Sequence, residues 1–209
     1  MEFLPSDDSA ASSSFGEPAC RRVLGCCDRL AKARSRRELG LLIAREMQAY
    51  SVFELQVISG KLHHEIDRLP SPYREAVRPY FLQQVFEPHH QALLLHRSAW
   101  SPFPDGPLED PPLFREYLTM VPSGCFSRDL KSEYVPHLTN PAHTLFYYLV
   151  GAFTMFVLGL PGHPEGMPFP GGFRVERKDR KFYCPVRDKE KEVQGCLCNF
   201  CPALQSPEP

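Results

Sequence analysis

The amino-acid sequence predicts a mainly α-helical protein: a helical bundle around a central apolar helix, with a small β-hairpin and cysteine knuckle at the C-terminus. Three observations predict this fold. Apolar residues recur every three or four positions through much of the first hundred residues, which is typical of amphipathic helices. Residues 145–160 are almost entirely apolar, as expected of a helix covered by other helices. Four of the eight cysteines lie between residues 184 and 201, where the helical pattern has ended.

The composition of the 209-residue chain is that of a folded globular protein. Apolar residues make up 43% of the chain and charged residues 23%, which excludes wholesale disorder and collagen-like structure. Lysine and arginine total 24 against 25 aspartates and glutamates, so the net charge is -1. A dedicated nucleic-acid-binding protein carries an excess of basic residues, and this balance therefore argues against nucleic acid as a partner.

The chain divides into three parts. Residues 1–16 are polar, serine-rich and acidic, so they bury too little apolar surface to become ordered, and we expect a disordered tail. Residues 17–160 form a predicted helical domain. Residues 161–209 hold a loop rich in proline and glycine, a hairpin and the cysteine knuckle, predicted to pack on that domain. The N-terminus lacks the features of a secretory signal and the cysteine content fits a reducing compartment, so we expect a cytoplasmic protein.

Helix-start signals divide the first half of the helical domain. The helical pattern extends over residues 18–69, and the capping boxes at residues 35–38 and 51–54 each open a helix. A further helix follows, in which Pro79 and Pro88 are expected to cause kinks or breaks because proline lacks an amide hydrogen.

A loop and a short helix follow. Five prolines between residues 98 and 112 predict a loop. Asp110 is a suitable N-cap, and apolar residues then repeat at helical spacing through Met120. Cys125 comes after this helix, in a stretch whose composition predicts turns.

The central helix is predicted from the apolar stretch at residues 145–160. Asn140 is a typical N-cap and Pro141 a typical first helical residue. A membrane-spanning helix needs about 20 mainly apolar residues, and proline punctuates this stretch at both ends, so we expect a buried helix and no membrane insertion. The core residues predicted from this stretch are Phe146, Leu149, Val150, Phe153 and Val157.

The tail begins with a loop and a hairpin. Proline and glycine dominate residues 163–172, which build neither helix nor strand. Two short strands are predicted at residues 173–175 and 181–184, around a charged turn at residues 177–180. Little apolar burial is available to this segment, so we expect another interaction to stabilise it.

The cysteine pattern predicts a metal site. Cys198 and Cys201 have the Cys-x2-Cys spacing that points two thiolates of one turn at the same ion, and Cys184 at a strand end supplies a third ligand. A tetrahedral site needs a fourth ligand. We place Cys125 first for that position, and three other residues remain open as alternatives: Cys196, His143 and His163.

Two cofactors match these ligands. Zinc favours tetrahedral sites of this type. Proline follows both Cys184 and Cys201, and a Cys-Pro step also closes the ligand run of bacterial iron–sulfur ferredoxins. That run is incomplete in this chain, so zinc is the predicted cofactor and an iron–sulfur cluster the alternative.

Three segments of the tail resemble the C-terminal signature of an archaeal protein family found mainly in methanogens, to which no activity is assigned. They are HPEGMPFPGGF from His163, FYCPVRDKE from Phe182 and CNFCPA from Cys198. The resemblance implies an archaeal, intracellular setting. It places Cys184, Cys198 and Cys201 on cysteines of the signature, treats Cys196 as additional, and transfers no catalytic residue.

These observations predict a metal-binding accessory protein, with zinc or an iron–sulfur cluster in its tail and an unidentified protein as partner. A redox enzyme or electron carrier with a cysteine-ligated cluster is one alternative, and an RNA-binding zinc knuckle is another. The sequence contains no nucleophile elbow, no phosphate-binding glycine loop and no metalloprotease helix, so it offers no catalytic motif.

Overall fold

The computed structural model of the protein describes residues 17–97, 105–126, 140–191 and 193–207. The tail predicted at residues 1–16 and the first part of the loop predicted at residues 98–112 lie outside the described residues. Within them the protein is mainly helical, as predicted. Six α-helices are described: α1 (Glu17–Leu30), α2 (Arg36–Gln48), α3 (Val52–Asp67), α4 (Tyr73–Arg97), α5 (Pro111–Phe126) and α6 (Pro141–Ala152).

Both predicted capping boxes lie at helix starts. Ser35 Oγ accepts a hydrogen bond from the Glu38 amide at 3.1 Å before α2, and Ser51 Oγ accepts one from the Glu54 amide at 3.2 Å before α3. The Glu54 carboxylate in turn accepts a hydrogen bond from the Ser51 amide at 2.8 Å. These bonds satisfy amides that the first helical turn leaves without a partner, so these boundaries are encoded locally.

Helix α6 is the centre of the bundle. It contacts α1, α2, α4 and α5. Asn140 caps it, since its side-chain oxygen accepts a hydrogen bond from the Ala142 amide at 2.9 Å. The five core residues predicted from the apolar stretch are all buried, in α6 or in the turn that follows it.

The apolar stretch changes its helical form before it ends. Residues Phe153–Val157 continue α6 as a π-helical turn. Arg36 closes this turn, because its Nε and Nη2 atoms donate hydrogen bonds to the Val157 carbonyl oxygen at 2.9 and 2.6 Å. No helix among the described residues has both the length and the apolar character needed to cross a membrane.

Helix α5 is longer than the sequence predicts. It continues past Met120 to Phe126 and includes Cys125, so the assignment of Cys125 to a turn-rich stretch is wrong. Pro122 removes one helical hydrogen bond, but Val121, Gly124 and Cys125 beside it are buried, and that burial offsets the loss. Gly124 helps because the absence of a side chain lets α6 approach α5 closely.

Helix α4 is not divided by its prolines. It extends from Tyr73 to Arg97 with Pro79 and Pro88 in its interior. Pro88 is itself buried. The helix packs along α2, and this long apolar contact offsets the roughly 3 kcal/mol that an interior proline costs.

The tail contains a three-stranded sheet among its described residues, made of β1 (Glu176–Lys178), β2 (Lys181–Cys184) and β3 (Leu204–Gln205). Strands β1 and β2 are antiparallel, and Asp179 and Arg180 between them have φ angles of 49° and 62°, as the tight turns of hairpins require. Strand β3 pairs with β2 in parallel.

The first strand of the hairpin lies three residues later than predicted. Residues 173–175 fold back on the proline- and glycine-rich loop instead of pairing with β2. The Val175 amide donates a hydrogen bond to the Met167 carbonyl at 3.0 Å, and the Phe169 amide donates one to the Phe173 carbonyl at 2.8 Å. These backbone bonds occupy the predicted strand, and β1 therefore begins at Glu176. The parallel strand β3 has no counterpart in the prediction.

The tail packs against the helical body. Leu197 approaches Gly151 of α6 so closely that a Cβ atom on Gly151 would lie 2.8 Å from the Leu197 side chain. The Tyr148 hydroxyl donates a hydrogen bond to the Gly195 carbonyl at 3.0 Å. A second apolar cluster lies between α4 and the tail, and its buried members are Val77, Met167, Val175, Cys184 and Ala203.

Candidate metal centre

The cysteine knuckle is one turn of 3-10 helix, Leu197–Phe200, with a cysteine on either side. Cys196 caps the turn, because its sulfur accepts a hydrogen bond from the Cys198 amide at 3.4 Å. The Cys201 amide closes it by donating to the Cys198 carbonyl at 3.2 Å. The pair predicted from its spacing, Cys198 and Cys201, therefore belongs to a single tight turn.

The sheet brings Cys184 to this knuckle. Cys184 is the last residue of β2 and is buried. In the parallel pairing of β2 with β3, Cys184 lies opposite Gln205, and the Ser206 amide donates to the Cys184 carbonyl at 3.1 Å. Because β3 begins three residues after Cys201, this pairing holds the end of the hairpin beside the end of the knuckle.

His163 lies in the proline- and glycine-rich loop, beside Cys184. The Nδ1 atom of His163 lies 3.7 Å from the Cys184 sulfur, a distance that suits a hydrogen bond to sulfur. The preceding residue, Gly162, donates its amide hydrogen to the Cys201 sulfur at 3.4 Å. The ring of His163 packs edge-on against Phe169, with the ring centroids 5.3 Å apart. The loop therefore contacts both Cys184 and Cys201.

The pKa values of the three predicted thiol ligands, Cys184, Cys198 and Cys201, are raised. Burial raises the pKa of Cys184 to about 11, and the charge of Cys201 acts in the same direction. The pKa of Cys198 is raised by its hydrogen bond with the Cys196 thiol, by burial and by the charges of Cys196, Cys201 and Cys184. Burial lowers the pKa of His163 to about 4, so its ring is neutral at pH 7, the form that binds metals.

Glu190 is a neighbour of the knuckle that the sequence pattern does not indicate. Its side chain is buried, and its Oε2 atom has no hydrogen-bond partner among the described residues. Burial raises the pKa of this carboxyl group. The hydrogen bond with Cys198 lowers the pKa of Cys196, and the charge of Glu190 acts in the opposite direction. Glu190 stands in a mixed charged stretch whose pattern gives no sign of burial.

Cys125 and His143 belong to the helical body. Cys125 is buried in α5, and the charges that raise its pKa, after burial itself, are those of Cys27 and Cys26 in α1. His143 lies in the first turn of α6, where burial and the charge of Lys61 lower its pKa. In the tail, His163 instead contacts Cys184, and the amide of Gly162 donates a hydrogen bond to the Cys201 sulfur. The Cys198 amide donates a hydrogen bond to the Cys196 sulfur.

The described residues do not present a finished metal site. Over residues 17–97, 105–126, 140–191 and 193–207, no three His, Cys, Asp or Glu side chains converge closely enough to hold an ion as they stand. The donors in the tail nevertheless suit zinc chemically, because thiolates and a neutral imidazole are its preferred ligands. Binding would require these side chains to come closer together.

Comparison with known protein families identifies one match. The model of a family described as an uncharacterized protein conserved in archaea (DUF2115) matches residues 35–206. The matched segment includes helices α2 to α6 and the tail. No solved structure matches the chain.

Several UPF0305 proteins of methanogens are similar to the chain. One from Methanothermobacter thermautotrophicus is 56% identical over 54 residues, which cover 26% of this chain and 35% of that protein. One from Methanopyrus kandleri is 38% identical over 73 residues, covering 35% of this chain and 51% of that protein. One from Methanocaldococcus jannaschii is 24% identical over 172 residues, which cover 79% of this chain and 93% of that protein. The first two matches therefore span about a third and a half of the relatives' lengths.

Proposed function

The chain belongs to the archaeal protein family DUF2115, and we propose that it is an accessory protein that binds one zinc ion in its tail through Cys184, Cys198, Cys201 and His163. In this role the ion stabilises the tail, and the helical body presents the tail to a protein partner. His163 takes the fourth position in place of Cys125, which lies in the helical body.

The distance between Cys184 and His163 carries this proposal. In a tetrahedral site with Zn–S near 2.3 Å and Zn–N near 2.0 Å, a sulfur and a nitrogen ligand lie about 3.5 Å apart. The Cys184 sulfur and His163 Nδ1 are 3.7 Å apart. Two of the four ligands therefore already have the spacing of one edge of a zinc tetrahedron.

Hydrogen bonds to sulfur support the same proposal. The amide of Gly162 donates to the Cys201 sulfur at 3.4 Å. Donors of this kind orient ligands and stabilise the charge of a metal-bound thiolate. Gly162 also precedes His163, so one short segment would supply a ligand and a supporting hydrogen bond.

The electrostatic state of the tail also favours a cation. The charges of Cys196, Cys201 and Cys184 add to the rise in the pKa of Cys198. The pKa of Cys196 is lowered by its hydrogen bond with Cys198, and the charge of Glu190 opposes this lowering. A divalent cation removes this repulsion and allows the ligands to ionise, which is how metal binding couples to deprotonation. Glu190 Oε2 is buried and has no hydrogen-bond partner among the described residues. A bound cation would supply a positive charge for this carboxyl group.

Metal analysis of four single variants tests the proposal. The full chain is purified anaerobically, and its metals are measured by mass spectrometry in the wild type and in Cys184→Ser, Cys198→Ser, Cys201→Ser and His163→Ala. We expect about one zinc per wild-type chain and a clear loss in each variant, because a tetrahedral site needs all four ligands.

Cys20→Ser and Cys125→Ala are the matched controls, since both cysteines lie in the helical body, and we expect them to keep the wild-type zinc content. Wild-type content in the four tail variants, or absence of zinc from the wild type, would refute the proposal. Iron and sulfide with a visible absorption band would assign the site to an iron–sulfur cluster. Loss of the metal in Cys196→Ser but not in His163→Ala would give the fourth position to Cys196.

A further inference from the structure

The three-stranded sheet of the tail has an inner and an outer face. Successive side chains of a strand point to opposite faces, and cross-strand partners share a face. On the inner face, Cys184 is buried in the apolar cluster between α4 and the tail, and Phe182 packs against that cluster. Tyr183 lies between them in β2 and therefore points to the outer face. Its cross-strand partners, Glu176 in β1 and Leu204 in β3, share that face.

The outer face combines an aromatic ring, an apolar side chain and charged groups. Its residues are Glu176, Lys178, Lys181, Tyr183 and Leu204. Leu204 is 45% exposed, and the neighbouring Tyr183 is partly exposed. Lys178 and Lys181 are exposed cross-strand partners beside the turn of the hairpin. Aromatic and apolar surface therefore lies next to positive charge on one exposed face of the sheet.

The positive charge of the hairpin is only partly neutralised within the chain. Residues 174–181 contain five arginines and lysines but two acidic residues, whereas the net charge of the whole chain is -1. Lys178 Nζ pairs with Glu176 Oε2 at 2.5 Å. Lys181, and Arg180 in the turn, form no ion pair with any residue that the structure describes. The balanced total charge, which argues against a nucleic-acid partner, therefore averages over a basic hairpin and a more acidic remainder.

We propose that this outer face binds single-stranded RNA. Proteins bind single strands through aromatic rings on which bases stack and through cations that contact the phosphates. Tyr183 stacks on one base and Leu204 packs against the next. Lys181 and Arg180 contact the phosphates. An acidic protein would also attract these cations, but it has no base to stack on the exposed ring of Tyr183.

Glu176 favours RNA over single-stranded DNA as the partner. It is the cross-strand partner of Tyr183, and its side chain is 53% exposed. A carboxylate repels phosphates but accepts a hydrogen bond from a hydroxyl group, and the 2′-hydroxyl of ribose is the donor that DNA lacks. A base stacked on Tyr183 brings its ribose close to this carboxylate. The zinc ligand Cys184 lies on the inner face, so this proposal goes beyond the proposed function and either can fail without the other.

Fluorescence anisotropy of the full chain with a labelled oligouridine of about 12 nucleotides tests the proposal. We expect the wild type to bind and Tyr183→Val to lose about tenfold in affinity, because one stacked base contributes about that much. Valine favours strands, so the hairpin should persist in this variant, and circular dichroism checks that it is folded. Tyr183→Phe keeps the ring and should bind like the wild type.

Lys181→Gln tests the contact with phosphate and is available if Tyr183→Val does not fold. For single strands, the logarithm of the affinity falls with the logarithm of the salt concentration by about 0.7 per phosphate contact, so the slope should decrease by about that amount. Arg177→Gln is the matched control. It removes the same charge from the inner face, where the Arg177 guanidinium lies over the Phe182 ring at 5.4 Å from its centroid. This control should keep the salt dependence of the wild type.

Three other ligands separate the alternative partners. Equally tight binding of oligodeoxyuridine would overturn the choice of RNA, and equally tight binding of an RNA duplex would overturn stacking on Tyr183. Tighter binding of a glutamate peptide of equal charge would assign the outer face to an acidic protein and overturn the proposal. Equal affinities of the wild type and Tyr183→Val would also overturn it, as would an unchanged salt dependence in Lys181→Gln or no binding of oligouridine up to about 100 µM at low salt.

Discussion

Gly124 in α5 lies against the side chain of Tyr148 in α6, and a Cβ atom at this position would overlap the Tyr148 ring and hydroxyl. The hydroxyl is also fixed by its hydrogen bond to Gly195, so the ring cannot simply move away. We expect Gly124→Ala to lower the free energy of unfolding by about 1–3 kcal/mol, the usual cost of overpacking a core. Urea denaturation followed by circular dichroism measures this change.

Gly60→Ala is the matched control for this substitution. Gly60 also lies inside a helix, but nothing lies within 4 Å of a Cβ atom added there. Alanine should therefore stabilise α3 by about 0.5–1 kcal/mol through helix propensity alone. Equal effects of the two substitutions would contradict the packing of α5 against α6 described here.

His89 in α4 should make stability depend on pH. Its ring packs edge-on against Phe146, and burial together with the charge of His90 lowers its pKa in the folded state. The unfolded chain therefore takes up the proton first as the pH falls, and stability is lost from about pH 6.5 downward. We expect the thermal midpoint to fall between pH 7.5 and pH 5.5.

Substituting His89 tests whether this residue causes the pH dependence of stability. His89→Gln should weaken the pH dependence without abolishing it, because burial also lowers the pKa values of His143 and His163. His96→Gln changes an exposed histidine of the same helix and serves as the control. An unchanged pH dependence in His89→Gln would show that the ring is not buried as described.

The residues of the candidate site differ in how far the sequence predicts them. Cys198 and Cys201 are predictable because their spacing alone places them in one turn. The proximity of His163 to Cys184 depends on how the loop folds back, so the sequence leaves His163 as one alternative among several. Glu190 was missed because its burial follows from the tertiary packing of the tail and has no local signal.

At the scale of elements, the sequence predicts the boundaries that local hydrogen bonds fix, and it does not predict those that depend on tertiary contacts. The capping boxes before α2 and α3 are satisfied within four residues, and both boundaries are predicted correctly. The extension of α5 past Pro122 depends on burial against α6, which composition does not reveal. The register of β1 depends on backbone hydrogen bonds between residues 173–175 and the loop. The parallel strand β3 depends on partner residues that lie 21 positions earlier in the chain.

A substitution in the π-helical turn Phe153–Val157, which follows α6, tests whether this turn lies at the centre of the bundle. Phe153 is fully buried within it. We expect Phe153→Asp to prevent folding, because an unpaired charge in the core costs several kcal/mol, a large part of the total stability of a domain. Circular dichroism and gel filtration detect the loss.

Leu94→Asp is the control for this substitution, since Leu94 is an apolar helical residue that is 47% exposed. We expect it to leave the fold intact. A folded Phe153→Asp variant with the thermal midpoint of the wild type would contradict the placement of this segment at the centre of the bundle.

At the scale of the whole molecule, the tail and the helical body depend on different interactions. The helical body has a large continuous core, whereas the buried apolar cluster of the tail is small. We therefore expect a strong chelator to loosen the tail and to accelerate trypsin cleavage within residues 177–181, while the helices remain folded. Mass spectrometry of the fragments and circular dichroism follow the two parts separately.

The Cys184→Ser variant is the control for chelation, because a chain without bound metal has nothing to lose. It should be cleaved quickly with or without the chelator. Cleavage that is equally slow before and after chelation of the wild type would mean that the tail does not need the ion.

X-ray absorption at the zinc K edge tests the zinc site most directly, because it reports the ligands of the ion in the intact chain. We expect a shell of about three sulfur atoms near 2.3 Å and one nitrogen atom near 2.0 Å. In His163→Ala the nitrogen scattering should disappear or the zinc should be lost. A shell of nitrogen and oxygen atoms without sulfur, or four sulfur atoms in the wild type, would contradict a site formed by Cys184, Cys198, Cys201 and His163.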